Sequence, residues 1–127
     1  MKIETINSPK SHSLNTGYSQ AVLVTDAKRT LYISGQIGLQ LDGSLSNNFK
    51  QQAKQVWSNI QAQLKHADMD LENIVHHRTF LSDRKYTAEN SAIRREILGD
   101  LEPALTVVIT GIFNKDWLLE IEAVAVQ

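Results

Sequence analysis

Apolar residues recur along the chain with two different periods, and the changes of period divide it into strands and helices. Residues 2 to 6 alternate as a short strand does. The polar stretch from Asn7 to Thr16, with Pro9 and four serine or threonine residues, reads as a loop before Gly17. Ala21 to Val24 and Leu31 to Ile37 are β-rich runs, and the polar Thr25 to Arg29 between them suits a hairpin connection. A second turn is expected at Asp42-Gly43. From Phe49 the period lengthens: Phe49, Ala53, Val56, Trp57, Ile60, Leu64 and Ala67 fall on one face of a helix. Ser46 or Asn47 is placed to cap it, and Lys65 and His66 complement its dipole at the other end. Ile74 to Leu81 returns to strand. A shorter helix is expected from about Tyr86 to Leu98, capped by Ser82 or Asp83 and ended by Gly99. Ala104 to Phe113 and Trp117 to Val126 read as two closing strands.

The resulting order, β-β-β-α-β-α-β-β, predicts an α+β domain over residues 1–127 with one sheet and both helices across one side. Helices on one side leave the other sheet face open, and both closing strands are expected to remain apolar there. Another copy of the chain is the simplest cover, because large exposed apolar patches are rare on monomers.

Composition narrows the function classes. The chain has 127 residues, 42% of them apolar and 21% charged, which suits one ordinary folded domain. Its net charge is −1 and its Lys and Arg residues are scattered, so no basic stripe points to nucleic acid. It has no cysteine, which removes disulfides, thiolate metal sites and a Cys nucleophile. The first residues carry charges and no apolar core of signal-peptide length, and no later run is long enough to span a bilayer. A cytosolic location is expected, with no membrane partner.

A few residues fit a purely structural pattern poorly. Glu120 and Glu122 share the even-numbered face of the last strand with Leu118, Val124 and Val126, and an unpartnered buried carboxylate is expensive. They read either as rim residues paired with cations or as an acid/base or water-orienting group. Asn90 lies in the stripe Tyr86, Asn90, Ile93 and Ile97 of the second helix, either as a satisfied amide or as part of a site. Ser34-Gly35-Gln36 ends an apolar strand with a hydroxyl and a glycine that allows close approach, although no nucleophile elbow surrounds the serine. His76 and His77 are adjacent on a strand and point to opposite faces, so they cannot chelate one ion together. No metal site and no phosphate loop is expected. Arg78 reads as exposed or ion-paired, or as an anion anchor.

Taken together, Gly17-Tyr18-Ser19-Gln20-Ala21, Ser34-Gly35-Gln36-Ile37, the Gln51 to Leu64 helix, Asn90 and Glu120-Ile121-Glu122-Ala123-Val124-Ala125 resemble the Rid family, also called the YjgF or L-PSP endoribonuclease family. The resemblance runs the full length in unbroken order. It implies a chorismate-mutase-like (bacillus type) fold assembled as a homotrimer, with three ligand clefts between subunits. It also implies cofactor-free hydrolysis of enamine and imine intermediates to a carbonyl compound and ammonia. In that pattern a glutamate holds the attacking water, an arginine clamps the substrate carboxylate, and tyrosine, serine and asparagine line the cleft. The matching residues are Glu120 and Tyr18 as catalytic groups, with Ser34, Gly35 and Asn90 binding substrate.

The arginine is missing. The expected Pro-Ala-Arg-Ser reads Pro103-Ala104-Leu105-Thr106, and leucine offers a carboxylate no donor. Thr16-Gly17 also replaces the usual Gly-Pro before Tyr18, and Ile93 stands where tyrosine is common. Arg78, Arg94 and Arg95 are the guanidinium groups that would have to reach the cleft in its place. The readings left are a small-molecule cleft protein, as a deaminase of altered substrate, and a non-catalytic ligand-binding or regulatory trimer. The endoribonuclease or translation-inhibitor role of the family's older names is opposed by the charge.

Overall fold

The computed structural model describes residues 1–12 and 17–127. The element order is β1 (Lys2–Ile6), β2 (Ala21–Thr25), β3 (Thr30–Gln36), α1 (Phe49–His66), β4 (Ile74–Leu81), α2 (Thr87–Leu98), β5 (Ala104–Ile109) and β6 (Leu119–Val126). This is the α+β sequence of elements that the periodicity predicts. The expected loop residues Ser13 to Thr16 lie outside the described residues.

Four strands form a mixed sheet in the order β3-β6-β4-β5, in which β4 runs parallel to β5 and antiparallel to β6. Its inward residues are those of the odd-numbered face: His77, Thr79 and Leu81 on β4, and Leu119, Ile121, Ala123 and Ala125 on β6, all buried. Against them α1 lays Phe49, Ala53, Val56, Trp57, Ile60 and Leu64, and α2 adds Ile93 and Leu98. Each such large side chain withdrawn from water contributes roughly 1.5–3 kcal/mol, so this layer supplies most of the driving force.

The hairpin expected between β2 and β3 does not form. Strand β2 pairs antiparallel with β1, from Lys2 opposite Thr25 to Ile6 opposite Ala21, and β3 pairs with β6. The connection carries Asp26 at φ 58°, and the amides of Lys28 and Arg29 both donate to the Gln127 carbonyl, at 2.9 and 2.8 Å. The end of β6 therefore captures the turn, and β3 joins the four-stranded sheet while β1 and β2 pair apart from it.

Caps shift by a residue or two from the expected places. Asn48 caps α1, its side chain accepting from the Gln51 amide at 3.1 Å. Asp83 caps a one-turn 3₁₀ segment, Arg84–Tyr86, that leads into α2. Gly99 ends α2 at φ 58°, a left-handed value that suits glycine. Gln52, fully buried, fastens α1 to the loop before β6. Its amide nitrogen donates to the carbonyls of Ser46 and Asp116 at 2.7 and 3.0 Å, and its oxygen accepts from the Leu118 amide at 2.9 Å.

The even-numbered face of the sheet is not covered by either helix. It presents Tyr32, 78% exposed, together with Arg78, Phe80, Thr106, Val108, Glu120 and Glu122, and is more polar than the strand pattern implies.

Candidate functional site

The sequence-predicted residues collect in two places. The first is the end of β3 beside β6. Ile33 pairs with Ala123 and Gln36 with Ile121, so Ser34 and Gly35 together face the single residue Glu122 in a β-bulge. The bulge bends the strand where the Glu120 side chain crosses toward it. A Cβ placed on Gly35 would fall 1.9 Å from Glu120 Oε2, 2.7 Å from Cδ and 2.9 Å from Cγ. The carboxylate thus lies directly on the glycine backbone. Glu120 is half-buried, and no arginine, lysine or histidine among the described residues lies within ion-pair distance of it.

The neighbouring Glu122 behaves differently. It accepts from Arg78 Nη1 at 2.7 Å across the β4–β6 ladder, both groups being partly exposed. Of the two carboxylates on this face, Glu122 is neutralised and Glu120 is free. Ser34 borders the Arg78–Glu122 pair in a shallow cavity of about 370 Å³ with Tyr32, His76 and Val124, which Glu120 does not line.

The second place is the opposite edge, around β5. The segment before β2 is laid against it: the Ser19 amide donates to the Pro103 carbonyl at 3.2 Å, and the Ser19 hydroxyl to the Glu102 carbonyl at 2.7 Å. This holds Tyr18 beside the start of β5. Leu105 pairs with His77 and shares its helix-facing side of the sheet. Asn90 and Arg94 lie one turn apart on the buried face of α2, only 3% and 6% exposed. Burial outside any charge pair lowers the Arg94 pKa, the nearby Arg95 lowers it further, and the Tyr18 hydroxyl opposes them. His77 is buried with neither ring nitrogen partnered, and burial, then Arg94, then His76, push its pKa down to about 3. It is neutral at physiological pH.

Glu120 and Leu105 are two strands apart, about 10 Å across the sheet, and on opposite faces. One chain therefore does not bring all six predicted residues together. The adjacent histidines point to opposite faces as expected, and Arg78 is ion-paired. The burial of Arg94 is what the sequence conceals: its position in the Tyr86, Asn90 row of α2 is a signal, but an arginine there reads as solvated.

A mixed four-stranded sheet with two helices on one face defines an α+β class shared by many small proteins. The profile of the Endoribonuclease L-PSP family matches residues 7–127. A RutC family protein of Aquifex aeolicus is 35% identical over 96% of this chain and 98% of its own length. A human 2-iminobutanoate/2-iminopropanoate deaminase is 36% identical over 87% of this chain and 80% of its own. Among solved structures, the Rid-family protein YyfB of Yersinia pestis superposes with a TM-score of 0.86 at 25% identity, covering all of both chains. The chain belongs to the L-PSP endoribonuclease, or Rid, family. No helix among the described residues is long and apolar enough to cross a membrane.

Proposed function

We propose that the protein hydrolyses small enamine or imine metabolites to a carbonyl compound and ammonia in clefts between the subunits of a homotrimer. One observation carries this reading: Glu120 is a half-buried carboxylate that lies on Gly35 while the carboxylate next to it is neutralised by Arg78. A free carboxylate held at a fixed place can orient a water and accept its proton. The water oxygen bonds to the iminium carbon, and its proton passes through Glu120 to the nitrogen. As the C–N bond of the resulting carbinolamine breaks, its hydroxyl gives its proton to Glu120, ammonia leaves with the bonding pair, and the carbonyl forms. No cofactor is required for these steps. Tyr18, Ser34 and Asn90 bind and orient the ligand, with Tyr18 and Asn90 supplied from the β5 edge of one chain and Glu120 and Ser34 from the β3–β6 end of another. The named activity of the deaminase relatives supports the reaction class.

The test is ammonia release from freshly generated 2-iminobutanoate. Wild type should turn over, and Glu120→Ala should fall by about 10²–10⁴-fold, the range for loss of a positioned acid/base. Turnover that survives in Glu120→Ala would remove the carboxylate from the mechanism. Leu105 favours a second reading, a non-catalytic ligand-binding trimer, since an apolar residue stands at the family's arginine position. Saturable metabolite binding with no ammonia release would establish that one instead.

A further inference from the structure

Glu122 stands two residues from Glu120 on the same face of β6, and strand geometry sets their Cβ atoms roughly 7 Å apart. Across the ladder on β4, Arg78 is directly opposite Glu122, and Phe80 is directly opposite Glu120. Diagonal neighbours on a sheet face stay within reach of a long side chain, so Arg78 has two carboxylates to choose between. It takes Glu122, with Nη1 2.7 Å from Oε1. Glu120 is left with an apolar residue opposite it and no cation on either side.

The Arg78–Glu122 pair has little to do for stability. Its side chains are 42% and 40% exposed, and ion pairs so open to water contribute little to the folded state. The other titratable groups on this face are Tyr32 from β3 and His76 from β4, while β5 contributes only Thr106 and Val108. Burial first, and then Arg78, lower the His76 pKa below its ordinary 6.5, with Glu122 opposing them, so this ring is mostly neutral at physiological pH. It therefore brings no positive charge that could take the place of Arg78. His76, Arg78 and Glu122 line one cavity with Ser34, and Glu120 lies outside it. The guanidinium is thus held on the Glu122 side of the face.

We infer that Glu122 is a positioning residue for the hydrolysis: it holds the Arg78 guanidinium off Glu120, and Arg78 in return cancels the charge that Glu122 would set beside that carboxylate. The inference rests on Glu120 being the base of the proposed reaction, and neither member of the pair has to touch the substrate. A guanidinium bound to Glu120 would occupy the oxygens that receive the proton of water and would weaken them as a base. An unpaired Glu122 would act in the other sense, because a like charge at this distance opposes ionisation of Glu120. Removing one partner or the other should therefore move Glu120 in opposite directions. A pair that served only the fold would not do so.

The test follows Glu120 both with and without turnover. Its side-chain carboxyl carbon is titrated by NMR in the ligand-free protein, and ammonia release from 2-iminobutanoate is measured over the same pH range. In Glu122→Gln, which keeps the shape and frees the guanidinium, the Glu120 titration midpoint should fall by about one pH unit and turnover should drop about tenfold. In Arg78→Met the midpoint and the acid limb of the pH–rate profile should both rise by about one pH unit, and Arg78→Lys should undo most of that rise. The double variant Arg78→Met/Glu122→Gln should regain most of the turnover lost in Glu122→Gln alone. A midpoint that stays in place in either single variant, or a double variant no better than Glu122→Gln, would overturn the assignment. If one single variant does not fold, the other still decides, because each has its own direction of shift. The outcomes also separate the two proposals. Opposite midpoint shifts in a protein that releases no ammonia leave Glu122 holding Arg78 off Glu120 and remove the hydrolase, whereas turnover that depends on Glu120 but ignores both substitutions does the reverse.

Discussion

Gly35 is needed for its missing side chain. Its backbone does not adopt a left-handed conformation, but Glu120 lies so close that a methyl group would overlap the carboxylate and its Cγ. Gly35→Ala should therefore displace Glu120 as a whole side chain while disturbing little else, because both residues lie on a partly solvated face. The expected outcome is at least a tenfold loss of imine hydrolysis with the melting temperature within a few degrees of wild type. A fully active Gly35→Ala protein would mean that the placement of Glu120 is unimportant. The residue scale is also where sequence reading reached furthest. Ser34-Gly35 and Glu120 stand out in the sequence as separate motifs, and the face shared by Glu120 and Glu122 follows from the strand period, but the contact of Glu120 with Gly35 depends on the bulge of β3 against β6 and is not legible there. That Arg78 neutralises only Glu122 was not legible, since it depends on the register of β4 against β6, which no local pattern encodes.

At the scale of elements, β4 carries a titration that the fold holds in check. Its inward face places His77 against Trp57 in an edge contact, with ring centroids 5.3 Å apart, and no partner for either nitrogen. Burial, Arg94 and His76 lower the native pKa to about 3 from an ordinary 6.5. Between these values the unfolded chain binds a proton that the native chain refuses, so the unfolded state gains as pH falls. Stability should be full above pH 6.5 and decline below it, by at most about 1.4 kcal/mol per pH unit from this one group. His76, also lowered, chiefly by burial, adds to the slope in the same sense. Urea denaturation near pH 7 and near pH 5 should show the loss, and His77→Phe, which keeps the aromatic contact, should flatten the slope. An unchanged slope would place the acid sensitivity elsewhere. The helices are legible because α1 has an unbroken apolar stripe, whereas the partner of β2 is not. A polar five-residue connection looks alike whether the strands it joins pair or part, and here the deciding bonds come from Gln127, a hundred residues away in the chain.

At the scale of the whole molecule, the two halves of the candidate site lie on opposite edges of the sheet, with Glu120 and Gly35 at the β3–β6 end and Tyr18, Asn90 and Arg94 at the β5 edge. The face that no helix covers joins these edges and exposes Tyr32 beside the Arg78–Glu122 pair. Packing that face against other copies would bring the β3–β6 end of one chain to the β5 edge of the next, and a ring closed in this way has one site per interface. Sedimentation should accordingly give three chain masses. The sharper measurement is complementation. Glu120→Ala and Asn90→Ala chains, each inactive as homotrimers, are unfolded together at equal amounts and refolded. If each site draws Glu120 from one subunit and Asn90 from its neighbour, random mixing leaves about one site in four with both residues intact, and about a quarter of wild-type activity returns. If both residues of a site come from one chain, every site keeps one defect and mixing restores nothing. The second result would force the Glu120 and Asn90 clusters to serve separate purposes, since within a single chain the sheet keeps them apart.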